Sequence, residues 1–132
     1  MTTAHGGCLC GDVRFSVDWP SKWVAHCHCT MCRRAHGAAF VTWFGMANER
    51  TRIDDSAGSL RWYVSSPGAE RGFCALFFRS ERWPGELHIA LANLDGAADR
   101  APMAHVFWET HVDWAMIDPG DGLPRKTAPE SG

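Results

Sequence analysis

Short runs of alternating apolar and polar residues dominate the chain. Val13 to Val17 reads Val-Arg-Phe-Ser-Val, the period-two pattern of a half-buried strand. Asp18 to Lys22, with Trp19-Pro20, predicts a turn, and Trp23 to Cys29 resumes an extended pattern. Thr30 is placed to cap a short helical turn that runs through Ala35 and ends at Gly37. Ala38 to Phe44 is apolar, aromatic and β-branched, too short for an ordinary helix, and predicts a buried strand. Leu60–Val64 and Glu86–Leu91 follow as strands, the second with Leu87, Ile89 and Leu91 on one face. Arg71 to Phe78 is expected to be buried, and Ala104–Trp108 and Trp114–Ile117 are expected as the last strands. Asn48–Ser59 reads as polar and turn-rich, Ser65–Gly68 and Trp83–Gly85 as turns, and Asn93–Pro102 as a loop. Pro119 to Gly132 is expected to be loose. Many short strands with one brief helix predict a mainly β fold.

Length and charge narrow the classes. A chain of 132 residues fits one domain and can bury a core without staples. A formal net charge of −2 argues against a nucleic-acid-binding module. No apolar run approaches the ~18 residues of a membrane span. The first seven residues lack the basic and apolar regions of a secretory signal, so a reducing cytoplasm is the expected location. There, closely spaced cysteines are read as metal ligands before disulfides. Seven tryptophans are expected mostly to supply core area.

The six cysteines change this picture most. His26-Cys27-His28-Cys29-Thr30-Met31-Cys32-Arg33-Arg34 carries three thiols within six positions. In an extended chain residues i and i+2 share a face, so Cys27 and Cys29 can address one ion, and Cys32 can join from a following turn. Cys8 and Cys10 form a similar pair. Zinc suits such ligands, taking thiolates at ~2.3 Å in tetrahedral geometry. Three protein ligands leave a position open for water or a substrate thiol. The spacing equally allows a closed structural site in which Cys74 or a histidine completes the set. Strand alternation turns His26 and His28 away from the face of Cys27 and Cys29.

The stretches Gly7-Cys8-Leu9-Cys10-Gly11-Asp12-Val13-Arg14-Phe15, Cys27-His28-Cys29-Thr30-Met31-Cys32-Arg33, Gly37–Phe40, Tyr63–Ser66, Gly68, Arg71 and Phe73-Cys74 together resemble the glutathione-dependent formaldehyde-activating enzymes and related centromere-protein-V-like domains. The resemblance spans most of the chain. It implies an Mss4-like fold of small antiparallel sheets pinned by zinc, with one domain over 4–125 and a loose tail over 126–132. It also implies a catalytic zinc at Cys27, Cys29 and Cys32 and a structural zinc at Cys8, Cys10 and Cys74. The chain departs from the family at one ligand. The family places a further cysteine three residues after its Phe-Cys, where this chain has Phe77. The second site is therefore expected to be completed by water or histidine, or to be replaced by aromatic packing of Phe77 and Phe78.

The implied activity is carbon–sulfur bond formation or cleavage between a thiol such as glutathione and an aldehyde such as formaldehyde. Three thiolates on Zn²⁺ give a net charge of −1, a site better at holding a thiol than at polarising a carbonyl. A thiol-adduct carrier, or a zinc-stabilised binding module without turnover, is the competing reading. Arg33 and Arg34 are candidates for holding a glutathione carboxylate, against an ordinary solvated or salt-bridged pair. Trp43, Phe44, Trp62 and Trp108 are placed in the core before any cleft wall. His36, His88, His105 and His111 show no pattern that raises them above surface or satisfied polar residues.

Overall fold

A computed structural model describes residues 2–74 and 77–127. The fold is mainly β, as expected, with one α-helix among the described residues. β1 (Thr3–Gly7), β2 (Arg14–Asp18) and β5 (Thr51–Asp54) form a three-stranded antiparallel sheet in the order β1-β2-β5. The larger sheet has seven strands: β3 (Trp23–Cys27), β4 (Val41–Ala47), β6 (Arg61–Ser66), β7 (Ala69–Phe73), β8 (Phe77–Ser80), β9 (Glu86–Ala90) and β10 (His105–Val106). Their order is β10-β3-β4-β9-β8-β7-β6. Every pairing is antiparallel except β10 against β3, which is parallel. α1 (Thr30–His36) links β3 to β4.

The expected alternation at Val13–Val17 is real. Val13, Phe15 and Val17 point into the main core, where Val24, Phe44, Met46, Phe77 and Ile89 join them. Several boundaries differ for identifiable reasons. β1 and β5 escape the hydrophobic pattern because β5 is exposed along most of its length and β1 buries only Gly6. Their pairing with β2 is reinforced by polar contacts instead, including a bidentate bond from Arg52 to Asp18 at 3.0 Å. The expected turn at Ser65–Gly68 is later and tighter, since β6 continues through Ser66 with an irregular register after Val64. The Arg71–Phe78 run is not one buried segment. It is the end of β7, a turn at Cys74, and the start of β8. Trp114–Ile117 forms no strand: Trp114 is 70% exposed and Met116 98% exposed.

The C-terminal stretch is held down further than its composition suggests. His105 exchanges backbone hydrogen bonds with Pro124 and Lys126, and Trp108 donates to Lys126. Arg125 clamps Asp121 at 2.6 Å. The rest of the expected tail, 128–132, lies outside the described residues.

Gly45 is required by a close approach. It faces Trp23 across β3 and β4. A Cβ at this position would come within 2.5 Å of the Trp23 indole. Without one, the indole lies against β4 and its Nε1 reaches Glu86 at 3.1 Å.

Candidate metal centres and the adjoining cavity

Cys27 is the last residue of β3, Cys29 is the N-cap of α1, and Cys32 lies in the first helical turn. The local geometry follows from capping. The Cys29 sulfur accepts the backbone N–H of Cys32 at 3.2 Å, a group the helix itself leaves unpaired. The cap is thus Cys29 and not Thr30, which is already helical. Gly37 closes the helix in a left-handed conformation, φ 61°, as expected. This strand–cap–helix sequence gathers the three sulfurs to within 4.8 Å of one another. Cys27 and Cys32 are buried and Cys29 half-buried.

The second triad is built differently. Cys8 and Cys10 sit in the loop between β1 and β2, and Cys74 in the turn after β7. Their sulfurs lie 3.1 to 3.5 Å apart. Cys10 is exposed and Cys8 and Cys74 are half-buried. Cys74 takes φ 87°, an unfavourable backbone conformation for a non-glycine residue, and it turns the thiol toward the other two.

All six thiols are free. Four sulfurs around a tetrahedral zinc at ~2.3 Å would lie about 3.8 Å apart, so both triads have the donor type and approximate separation for such an ion. No histidine or carboxylate joins either triad among the described residues. The expected histidine ligand for Cys8, Cys10 and Cys74 is therefore not found there. Phe77 is turned into the main core, 1% exposed, edge-on to Phe15 and stacked on Trp62. Cys8 and Cys74 pack against that same core.

The electrostatics of the buried triad are lopsided. Hydrogen bonds from Cys27 and Cys32 pull the Cys29 thiol well below the usual thiol range, against the opposing effect of burial. The same contacts, with burial, push Cys27 up. Arg71, on β7 and 6% exposed, donates from Nη1 to the Cys32 sulfur at 3.6 Å. Its guanidinium also lies 4.8 Å from the Phe78 ring centre. A buried cation requires an anionic partner. Among the described residues Arg71 has no carboxylate partner, so the cysteine cluster is what balances it. The reading of the clusters missed Arg71. Its signal was a lone charge inside a run otherwise expected to be buried.

The three sulfurs open onto a cavity of about 800 Å³. Trp23, Trp43, Phe78, Trp83 and His88 wall it, with Arg71 beside the cysteines and Arg82 and Lys126 also on its lining. Trp43 is thus a wall residue as well as buried, while Phe44 lies wholly in the core and Trp62 packs on Phe77. Trp108 stacks on His111 with ring centres 3.8 Å apart. His88 is not a surface residue: it is buried and pairs with Glu86 at 2.8 Å. Arg33 and Arg34 do not line the cavity. Arg33 donates to the Thr110 carbonyl at 3.1 Å, and Arg34 is exposed on α1.

Behind the buried triad, His26 and His28 do face away from the cysteines. His26 Nδ1 bonds Thr42 Oγ1 at 2.7 Å. His28 is fully buried, and its Nε2 lies 2.8 Å from His105 Nδ1. His105 Nε2 in turn lies 2.8 Å from Asp121. Arg125 and His105 hold the Asp121 carboxyl well below the usual carboxylate range. An ionised Asp121 accepts from His105 Nε2–H, which assigns His105 Nδ1 as acceptor and His28 Nε2–H as donor. Burial, followed by the neighbouring His105, lowers the His28 pKa to about 4, keeping it neutral. His105, which no sequence pattern singled out, is the centre of this chain.

The family model described as "Glutathione-dependent formaldehyde-activating enzyme" matches residues 3–110. A crystal structure of a Rhodobacter sphaeroides protein superposes with a TM-score of 0.61 at 21% identity, covering 92% of this chain and 98% of the other. At that identity the likeness shows a shared fold. No curated protein is significantly similar in sequence. Among the described residues no helix is long and apolar enough to cross a membrane.

Proposed function

The chain belongs to the glutathione-dependent formaldehyde-activating enzyme family, and from that premise we propose that it forms or cleaves a carbon–sulfur bond between a small thiol and an aldehyde at Cys27, Cys29 and Cys32. The observation that carries this reading is the opening of a buried three-cysteine cluster onto a cavity large enough for a small organic ligand. Zinc held by Cys27, Cys29 and Cys32 would supply an open coordination position that favours the thiolate form of a substrate thiol. The chain's own residues do the rest. Cys29 caps α1 and so fixes its sulfur relative to Cys32. Arg71 offsets the negative charge of the cluster and, on the same cavity wall, would stabilise charge that develops on an aldehyde oxygen bound there. In the forward direction the thiol sulfur bonds to the aldehyde carbon, and the thiol proton ends on the former carbonyl oxygen. Nothing is oxidised or reduced.

Cys8, Cys10 and Cys74 are assigned a stabilising metal site, and residues 4–125 one functional unit. A reducing compartment such as the cytoplasm would keep the six thiols available.

The test is Cys29→Ser. A serine retains an oxygen for the helix cap but removes a thiolate. An enzyme keeps its fold and loses thiol-dependent adduct formation together with one zinc per chain. Unfolding of this variant, with no thiol-dependent turnover in the parent protein, supports a zinc-stabilised binding module instead.

A further inference from the structure

The cavity is much larger than a two-heavy-atom aldehyde needs, and aromatic rings form much of its wall beside the cations Arg71, Arg82 and Lys126. Two polar tips of its wall are already engaged. Trp23 Nε1 and His88 Nε2 both bond Glu86, at 3.1 and 2.8 Å, and Lys22 completes the carboxylate's partners at 3.0 Å. Glu86 itself is not part of the cavity lining. Ring surface therefore makes up much of the wall, beside Arg71, Arg82 and Lys126. His88 is packed among Trp23, Phe78 and Trp83, with ring centres 4.6, 5.5 and 5.2 Å away. Trp43 lies against Phe78 at 6.2 Å.

Such an aromatic box can hold either a cation or a neutral apolar group. The neighbouring charges decide between them. Arg71 already lies over Phe78 at 4.8 Å, and Arg82 over Trp83 at 5.4 Å. A ligand cation would meet two guanidinium groups already drawn to these rings, whereas a neutral ring or bulky alkyl group meets no such repulsion.

Building on the thiol–aldehyde reading above, we propose that the substrate carries an aromatic or bulky alkyl group, seated against the cavity faces of Trp23, Phe78 and Trp83 while its sulfur end faces Cys27, Cys29 and Cys32. The apolar group can belong to the thiol or to the aldehyde. In both cases the product is the same class of hemithioacetal: one C–S bond forms, and the thiol proton moves to oxygen.

Calorimetric titration of the zinc-loaded full chain tests this. Benzyl mercaptan should bind at least tenfold more tightly than 2-mercaptoethanol or glutathione, as expected for burying a ring-sized apolar group. If the ring instead comes from the aldehyde, 2-mercaptoethanol should bind tenfold more tightly with benzaldehyde present than with formaldehyde. Trp83→Ala should reduce whichever preference is found toward unity, and Trp83→Phe should restore it. Equal affinities in both arms, tighter binding of glutathione, or a preference untouched by Trp83→Ala would overturn the proposal while leaving thiol binding at the cysteines intact. Failure of every thiol to bind would overturn it together with the functional reading beneath it.

Discussion

The two cysteine triads use the same donors and different supports. Cys27, Cys29 and Cys32 come from one short stretch, are largely buried, and have a cation in Arg71 and a cavity in front of them. Cys8, Cys10 and Cys74 come from two loops, stand nearer to solvent, and rely on an unfavourable conformation at Cys74. The contrast teaches that ligand spacing alone does not set a site's role. The first triad is organised by a secondary-structure transition. The second gains its order from closing two loops, and Phe77, three positions after Cys74, is turned into the core.

The largest expected effect is on the first triad. Cys32→Ser should reduce thiol-dependent adduct formation by several orders of magnitude, measured under zinc saturation, whereas Cys10→Ser should change it by less than about threefold. A comparable loss from both variants would erase the distinction between the triads.

Phe77→Ala probes what supports the second site. Removing a fully buried aromatic side chain should cost about 3–5 kcal/mol in denaturant unfolding. This should exceed the cost of Cys10→Ser, because Phe77 is held by Phe15 and Trp62 and not by the thiols.

The wall of the cavity gives a pH test. Burial raises the Glu86 pKa, but hydrogen bonds from His88, Lys22 and Trp23 outweigh it and bring the carboxyl from 4.5 to about 2. A depressed carboxylate pKa stabilises the fold above the unfolded value and loses that contribution as pH falls from about 4.5 toward 2. Glu86→Gln should flatten the difference in stability between pH 5 and pH 2.5 by on the order of 2–3 kcal/mol. An unchanged acid profile would separate Glu86 from the stability of this wall.

Smaller effects concern affinity for metal. Arg71→Met should weaken zinc at the first triad by about 10–100-fold, the usual cost of losing a group that supports the ligands, without altering the second. A zinc content between one and two per chain is expected, with graded chelator removing the Cys8, Cys10 and Cys74 equivalent first. Two equally resistant ions would contradict the weaker support assigned to that triad.

The mainly β class and the first cysteine triad were legible because they are local: alternation marks Val13–Val17, and Cys27, Cys29 and Cys32 are close in sequence, whereas Cys74 lies 64 positions from Cys10 and was joined to Cys8 and Cys10 only through the family resemblance. Strand alternation also placed His26 and His28 correctly, on the opposite side from the sulfurs. Non-local features were not legible. Arg71 reaches Cys32 across 39 positions, and no periodicity announces that. His105 takes its partner Asp121 from 16 positions further on, outside any periodic element. Trp114–Ile117 has the composition of a strand but no neighbouring strand to pair with. Phe77 and Phe78 form one aromatic pair in sequence, yet Phe77 enters the main core and Phe78 the cavity wall. Adjacent strand residues face opposite sides, and this divides them.

The linkage of His28 through His105 to Asp121 has a consequence for the order in which the protein is made. Cys27, Cys29 and Cys32 emerge from the ribosome early, but the carboxylate that orients the imidazoles behind them is synthesised more than ninety positions after His28. A nascent chain that stops short of Asp121 carries all the sulfur ligands and lacks the far end of that hydrogen-bonded chain. The backing of the first triad is therefore completed only once Asp121 and Arg125 have been made and close against His105.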